Sequence, residues 1–469
     1  MNISALIEQV ETAPTGPGVV AFFDMDGTVL AGFTAFVFAQ DRIRRPDLTD
    51  LGVAAVAMRY QAGKASFEEL LRASTKAMAG MPVEEIDDLA DRLFTETIAA
   101  MIYPEVRRLI RAHQRRGHTV VLLSAATTMQ ARPVAESLDV DDIICNTLEV
   151  ENGRVTGDVG QPIIFGTRKA TEAEAYAKRI KASLDEAFFY SDGYEDLPLL
   201  DMVGHPQPLN PDKKLRKAAD ERGWMPTDFE SRGTPTKTQI VRTILAQASV
   251  LTAATAGLTA GLLNRDRRQA INLMTSTWGD LAVALAGVNL DIRGEEHLWS
   301  DRPAVFMFNH QSNFDGLLLM KLLRRDVTAV AKEQLKAMPF VGQLFEFGDV
   351  IFISRSDHDA AVDALHEAAI RIQQGLSVAI SPEGTRQVTP RLGAFKKGGF
   401  HLAMEAGVPI VPIVIHNSLD VLPRGGRIMR PATVRVDVLE PIPTVDWTVE
   451  SLADHVETVR LQFATALET

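Results

Sequence analysis

The chain is nearly without cysteine: Cys145 is the only one in 469 residues. No intramolecular disulfide can form and no cysteine-ligated zinc site can be built, which points to a reducing compartment. Net positive charge is also missing. The formal charge is −12, which argues against a general nucleic-acid binder, because a phosphate backbone needs clustered Lys and Arg. Most of the negative excess precedes about residue 235, and the rest is nearly balanced. Residues 1–18 lack a basic start followed by an apolar run, so no secretory signal is expected. Internal repeats and low-complexity tracts are absent. Long uncharged runs are scarce: the main one, Ile244 to Leu263, is rich in Ala and Thr and only weakly hydrophobic. Its length allows a bilayer span, an interfacial helix or a buried core helix.

What is present is globular in character. Hydrophobic residues make up 46% and charged residues 23%, and the length calls for two or three domains. Val19 to Phe23 is a short apolar run ending in Asp24, the pattern of a buried parallel strand. Residues 33–100 alternate apolar and charged positions at helical spacing. Strand-like runs return at Thr119–Leu123, Asp142–Cys145 and Ala187–Tyr190, separated by helical stretches. That alternation predicts a doubly wound α/β sheet, with active groups at the carboxyl ends of its strands. Asp24, Ser124 and Asp192 each follow a strand-like run, so they should converge. Residues 231–239 read as a linker. Arg265, Arg267 and Arg268 follow the uncharged run, where anionic headgroups could hold them. Strand-like runs at Ala304–Phe308, Val350–Ile353, Val378–Ile380 and Ile410–Ile415 predict a second α/β domain, with Pro409 and Pro412 pointing to an edge strand.

Two sets of residues carry chemistry. In Asp24-Met-Asp26-Gly27-Thr28, two carboxylates at i and i+2 can face one pocket where the chain turns off a strand. One can attack phosphorus, and the other can protonate the leaving alcohol and later deprotonate water. Ser124 can bind a phosphate oxygen, and Lys169 can neutralise the transferring group. Asp192 and Asp196 supply oxygen ligands suited to Mg²⁺. Each is unremarkable alone, as a turn, a cap or a surface lysine. In order, after four strand-like runs, they form a site.

In this order the residues resemble the haloacid-dehalogenase-like phosphatases, in the subgroup related to phosphoserine phosphatase, over about 17–230. The resemblance implies that Asp24 is the nucleophile and Asp26 the acid/base, with Ser124 and Lys169 on the phosphate. It also implies Mg²⁺ held by Asp24, the Asp26 carbonyl and Asp192, supported by Asp196. The insertion at about 33–100 would be a substrate-selecting cap. Nine residues after the nucleophile, where that subgroup carries a glutamate for the substrate amine, this chain has Phe33. An apolar or lipid phosphate suits Phe33 better than phosphoserine does, although a soluble metabolite, or a purely regulatory role for this half, stays open.

The second set begins with Asn309-His310-Gln311-Ser312-Asn313-Phe314-Asp315. A histidine can take the proton of an attacking hydroxyl, and a carboxylate five residues on can orient its ring. Arg355 follows a strand-like run. Residues 381–386 present Glu383, Gly384, Thr385 and Arg386, and Lys332 and Lys396 add positive charge. Guanidinium forks suit phosphate recognition. Together these blocks resemble the 1-acylglycerol-3-phosphate acyltransferases over about 240–440. The resemblance implies that His310 is the general base with Asp315 behind it. It further implies that Arg355, Glu383, Gly384, Thr385 and Arg386, with Lys332, bind glycerol phosphate. It also implies acyl-CoA or acyl-carrier protein as donor and a lysophospholipid as acceptor. Phe340 and Phe345 line the acyl chain or are plain core.

The expected organisation is a phosphatase domain over 17–230, a linker with membrane-associated helices over 231–290, and an acyltransferase domain over 291–469. The expected place is the cytoplasmic face of a membrane, peripheral or shallowly inserted.

Overall fold

The computed structural model describes residues 2–43, 51–336, 341–353 and 358–468. The chain forms two compact units, Met1–Thr234 and Pro235–Thr469.

The first unit is built on a five-stranded, all-parallel sheet. Its strands are β1 (Val20–Phe23), β2 (Thr119–Thr127), β3 (Asp142–Asn146), β6 (Phe188–Ser191) and β7 (His205–Pro208), in the order β3-β2-β1-β6-β7. A two-stranded antiparallel hairpin, β4 (Leu148–Glu151) and β5 (Arg154–Val159), stands beside it. The central strands are apolar throughout because both faces are covered. Phe22, Phe23, Phe188, Phe189 and Tyr190 are fully buried, each contributing roughly 1.5–3 kcal/mol. Phe23 stacks on Tyr190 with ring centroids 4.4 Å apart.

Between β1 and β2 lie the helices Thr34–Ile43, Leu51–Gln61, Phe67–Lys76 and Val83–Glu96. The Phe67 helix begins where it does because Ser66 and Glu69 cap each other reciprocally. Strand β2 runs past Ser124 rather than ending at Leu123. The Ser124 hydroxyl accepts from the Ala126 N–H at 3.1 Å, a local side-chain bond that competes with the ladder. The register with β3 shifts between Leu123 and Thr127.

The second unit carries a seven-stranded sheet. The strands are β8 (Asn289–Arg293), β9 (Val305–Phe308), β10 (Val327–Lys332), β11 (Ile351–Ile353), β12 (Ser377–Ile380), β13 (Ile410–Ile415) and β14 (Thr433–Val438). Their order is β11-β10-β12-β9-β13-β14-β8, and β13–β14 is the one antiparallel pair. Strand β13 is therefore interior, which corrects the edge reading of its prolines. The Pro412 carbonyl accepts from the N–H of Leu439, just past the end of β14. The missing proline donor thus falls where that ladder is finishing.

Two long helices, Lys237–Asn264 and Arg267–Ala286, precede this sheet. The first starts inside the expected linker, because Thr236 and Gln239 form a capping box. Its small residues let the pair approach closely: a Cβ at Gly257 would lie 2.6 Å from the Ala270 carbonyl oxygen. It is the one helix among the described residues long and apolar enough to cross a membrane, and it is mostly uncovered. Leu251, Leu258, Leu262 and Leu263 are exposed, the last two at 81% and 78%, so the core-helix alternative does not describe it. Arg267 and Arg268 turn back into the unit. Arg267 donates to the Phe347 carbonyl and Asp349, and Arg268 to Asp326 and the Gln374 and Gly375 carbonyls. These internal acceptors, rather than headgroups, satisfy them.

Candidate active sites

In the first unit, Asp24 lies at the carboxyl end of β1, and its N–H continues the ladder to the Tyr190 carbonyl at 2.9 Å. The Lys169 Nζ, from the first turn of the helix Thr167–Ile180, donates to Asp24 Oδ1 at 2.7 Å and to Asp196 Oδ2 at 2.8 Å. All three side chains are buried. Burial works against the lysine's charge, but Asp196 and Asp24 raise it well above its ordinary value, so it remains a cation. Burial pushes the Asp24 carboxyl up to about 7 against the pull of Lys169.

Asp192 sits beside Asp24. Its carboxyl is pushed well above the usual range, first by burial and then by the Asp24 charge. The Thr28 hydroxyl donates to Asp192 Oδ1 at 3.1 Å. Gly27 has φ +84°, and a Cβ there would lie 2.1 Å from Asp192 Oδ2, so this turn tolerates only glycine.

No group of three or more Asp, Glu, His or Cys arranged for a metal occurs among the described residues. Buried Asp24 and half-buried Asp192, whose carboxyl the Asp24 charge raises, nevertheless form a donor set for a cation, and Mg²⁺ needs only one or two carboxylates because it keeps several waters. Asp196, expected in support of the metal, spends Oδ2 on Lys169 and on the Ser191 hydroxyl at 2.7 Å. It holds the lysine in place.

Asp26 is set apart from this group. The Thr34 N–H donates to its Oδ1 at 2.8 Å and the Thr34 hydroxyl to its Oδ2 at 3.0 Å. Burial pushes its carboxyl up to about 6, opposed by these two bonds. Gln130 Nε2 in turn donates to Thr34 Oγ1 at 3.1 Å, and Gln130 Oε1 accepts from the Thr127 N–H and hydroxyl. Ser124 lines the same cavity as Asp24, Asp26, Lys169 and Asp192. Its oxygen accepts from Ala126, which leaves the hydroxyl proton to donate to a phosphate oxygen. Gln130 had no sequence signal, since it acts on a hydroxyl 96 residues away, while Thr34 and Ser191 lie within eight and five residues of the carboxylates they hold and were missed because nothing local shows which acceptor a hydroxyl takes.

In the second unit, the chain leaves β9 at Asn309, whose side chain clamps the Ile415 N–H and carbonyl of β13. His310 Nδ1 lies 2.8 Å from Asp315 Oδ2. The same oxygen accepts from the Gln311 and Ser312 N–H groups, each at 2.8 Å. Asp315 is fully buried, while the histidine side chain is 27% exposed. An acceptor-only carboxylate on Nδ1 fixes the proton there and leaves Nε2 as the free base.

Glu383 and Arg386 follow β12, the neighbour of β9, so the two blocks meet at one sheet edge. Glu383, expected on the glycerol phosphate, uses Oε1 for the His310 N–H and Oε2 for the Gly393 N–H, both at 2.8 Å. It shapes the loop. Burial raises its carboxyl. Gly384 has φ +65° and closely approaches Lys396, and Thr385 is exposed. Burial lowers the Arg386 guanidinium pKa, Arg424 lowers it further and Asp315 opposes this. The buried Arg386 Nη1 has no hydrogen-bond partner among the described residues, so this cation beside the histidine is available to an anion. Lys332 ends β10, paired with Ile353 at the end of β11. Arg355 and Phe340 lie outside the described residues. Phe345 is half-buried in the helix Val341–Phe347.

Comparison with known proteins matches each unit to a family. Residues 21–201 match the haloacid dehalogenase-like hydrolase family, and residues 289–416 match the acyltransferase family. A putative hydrolase of Mycobacterium leprae is 31% identical over 218 residues, covering 45% of this chain and 73% of that protein. A 1-acyl-sn-glycerol-3-phosphate acyltransferase of Limnanthes alba is 35% identical over 189 residues. That match covers 40% of this chain and 66% of the plant protein, just under two thirds of its length. Among solved structures, the 1-acyl-sn-glycerophosphate acyltransferase of Thermotoga maritima is 25% identical at a TM-score of 0.44, covering 50% of this chain and 95% of that one. The chain belongs to the haloacid dehalogenase-like hydrolases through its first unit, and its second unit carries an acyltransferase domain.

Proposed function

We propose that the chain is a bifunctional lipid enzyme. Its second unit moves an acyl group from acyl-CoA or acyl-carrier protein to 1-acylglycerol 3-phosphate, giving phosphatidate. Its first unit hydrolyses a phosphomonoester with Mg²⁺ through an aspartyl phosphate. The observation that carries the acyl transfer is the His310–Asp315 pair, in which Asp315 Oδ2 faces the ring nitrogen and accepts from two adjacent backbone N–H groups. The acceptor hydroxyl attacks the thioester carbonyl while His310 Nε2 takes its proton. The C–S bond then breaks, and the imidazolium returns that proton to the departing thiolate. Asp315 stabilises the imidazolium between these steps. Arg386, Gly384 and Thr385, with Lys332 and Arg355, are assigned to the acceptor's phosphate.

In the first unit, Asp24 attacks phosphorus and Asp26 protonates the leaving alcohol. Asp26 then takes a proton from the water that cleaves the acyl phosphate. Ser124 and Lys169 hold the transferring group. Asp24 and Asp192, with the Asp26 main-chain carbonyl, would hold Mg²⁺, which supplies charge neutralisation so that an anionic nucleophile can approach an anionic ester.

The exposed leucines of Lys237–Asn264 support docking on a membrane, which this reading places at the cytoplasmic face. Product mass spectrometry tests the whole reading. Lysophosphatidate plus acyl-CoA should give phosphatidate, lost in His310→Ala and retained in Asp24→Asn, while Mg²⁺-dependent phosphate release shows the reverse pattern. Loss of both activities in either folded variant would sink the two-site reading. For docking, Leu258→Asp combined with Leu262→Asp should abolish sedimentation with anionic liposomes, and unchanged sedimentation would refute it.

A further inference from the structure

The first unit's catalytic groups open onto a cavity of about 330 Å³ whose two ends differ in chemistry. At one end lie Asp24, Asp26, Ser124, Lys169 and Asp192. The acidic groups Glu195 and Asp212 belong to this end as well. Glu195 packs against Gly193 in the loop that carries Asp192, and Asp212, the N-cap of the helix Lys213–Arg222, accepts from the Tyr194 N–H of that loop. The rest of the lining is mostly rings and aliphatic side chains, chiefly Phe33, Phe36, Phe67, Leu71 and Phe165, with Tyr60 close enough to feel the Glu195, Asp192 and Asp26 charges. Phe67 stacks on Phe165 with centroids 4.5 Å apart and planes 8° from parallel. Tyr60 meets Phe67 edge-on at 6.5 Å, and Phe33 meets Phe36 edge-on at 5.9 Å. Phe165 immediately precedes the turn that bears Lys169, so this wall joins the helical insertion to the phosphate-binding lysine. Phe33 is 46% exposed at the mouth.

Two features of this wall select a ligand. Lys169 is the one cation among the described lining residues, and Asp24 and Asp196 already engage it. Among those residues, nothing remains to pair with a carboxylate on the substrate. The size also discriminates. A cavity of roughly 150 Å³ accommodates a benzene-sized group, and this one is more than twice as large. The phosphoryl group takes part of this space beside Asp24 and Lys169, and what is left still exceeds a single ring and suits an extended hydrocarbon chain.

We infer that the first unit acts on a phosphate monoester of an alcohol carrying one long apolar chain. This rests on the phosphatase reading above and deepens it. The ester's P–O bond breaks as the Asp24 oxygen bonds to phosphorus, and Asp26 protonates the chain-bearing alkoxide. Water then releases inorganic phosphate, returning the proton to Asp26. A one-chain substrate belongs to the same chemical class as the acyltransferase acceptor, so the two sites draw on one kind of lipid.

The test is a series of monoalkyl phosphates from butyl to decyl, below their critical micelle concentrations, with the full chain and Mg²⁺. Lysophosphatidate, dipalmitoyl phosphatidate and phosphoserine are run beside them. kcat/KM should rise with chain length by up to about fourfold per buried methylene and then level off. Lysophosphatidate should exceed both phosphatidate and phosphoserine at least tenfold. Phe67→Ala and, at the exposed mouth where folding is not at stake, Phe33→Ala should each lower the decyl-to-butyl ratio. A flat series, hydrolysed by the wild type but not by Asp24→Asn, would overturn the chain assignment and leave the phosphatase reading standing. Faster turnover of phosphatidate or phosphoserine would overturn it in the same way. If no monoester releases phosphate, the phosphatase reading itself falls and the inference with it. An unchanged ratio in both variants would also refute it.

Discussion

Thr34 holds both oxygens of Asp26, its N–H donating to Oδ1 at 2.8 Å and its hydroxyl to Oδ2 at 3.0 Å. Thr34 opens the first helix of the insertion, so the segment that covers the cavity also fixes the proposed acid/base. Thr34→Val keeps the N–H bond and the shape but removes the hydroxyl. A hydrogen bond to a charged group is worth about 1.5–3 kcal/mol. The expected outcome is a fall of about tenfold or more in kcat for p-nitrophenyl phosphate, with KM within about twofold. Steady-state kinetics check this, and an unchanged kcat would contradict it.

Asp196 offers a second test, because its Oδ2 holds Lys169. Asp196→Ala removes one partner of a buried ion pair, a change that costs about 3–5 kcal/mol. It should therefore destabilise the first unit in urea titrations and weaken phosphate binding together. A variant as stable as the wild type, with only its Mg²⁺ affinity reduced, would place Asp196 on the metal instead.

In the second unit, His310 and Asp315 should separate activity from stability. His310→Ala should abolish acyl transfer while changing stability by no more than about 1 kcal/mol, since its side chain is partly exposed. Asp315→Ala should abolish transfer and also destabilise. It strands the Gln311 and Ser312 N–H groups, at roughly 1–3 kcal/mol for each buried donor. Equal stability losses in the two variants would contradict this assignment.

A buried histidine outside both sites makes the first unit sensitive to acid. His113 Nε2 lies 2.9 Å from the Tyr190 hydroxyl, and its Nδ1 lies 2.8 Å from His118 Nδ1. Burial, followed by His118 and His205, lowers its pKa well below 6.5. The folded state therefore stays unprotonated there, while the unfolded chain takes up a proton below about pH 6.5. Stability is full above that pH and declines as pH falls beneath it, by about 1.4 kcal/mol per pH unit for each such histidine. His118 and His205 are lowered in the same direction, chiefly by burial. Asp24, Asp26 and Asp192, raised in the folded state, act in the opposite sense over the same range, so the measure is a difference: urea titrations at pH 7.5, 6.0 and 5.0 of wild type and His113→Gln should differ in slope by about one proton. Equal slopes would discount His113.

The sequence by itself determined the two chemistries and the α/β class. The decisive residues of each site lie within a few positions of one another, as in Asp24 to Thr28 and Asn309 to Asp315. Apolar runs flanking them marked the buried parallel strands. Even the start of the helix Lys237–Asn264 was written locally, in the Thr236–Gln239 capping box. Tertiary structure alone decided how each polar group is spent. Asp196 turns to a lysine 27 residues away, Gln130 reaches Thr34 across 96 residues, and Glu383 binds the His310 backbone 73 residues earlier. Arg267 and Arg268, adjacent to an apolar helix, find acceptors inside their own unit. The physical reason is common to these cases. A buried donor or acceptor must be satisfied, and which partner satisfies it depends on the segments that packing brings alongside, which local pattern does not encode. The ring-lined wall beside Asp24 arose the same way, from an insertion whose helical periodicity was legible but whose facing residues were not.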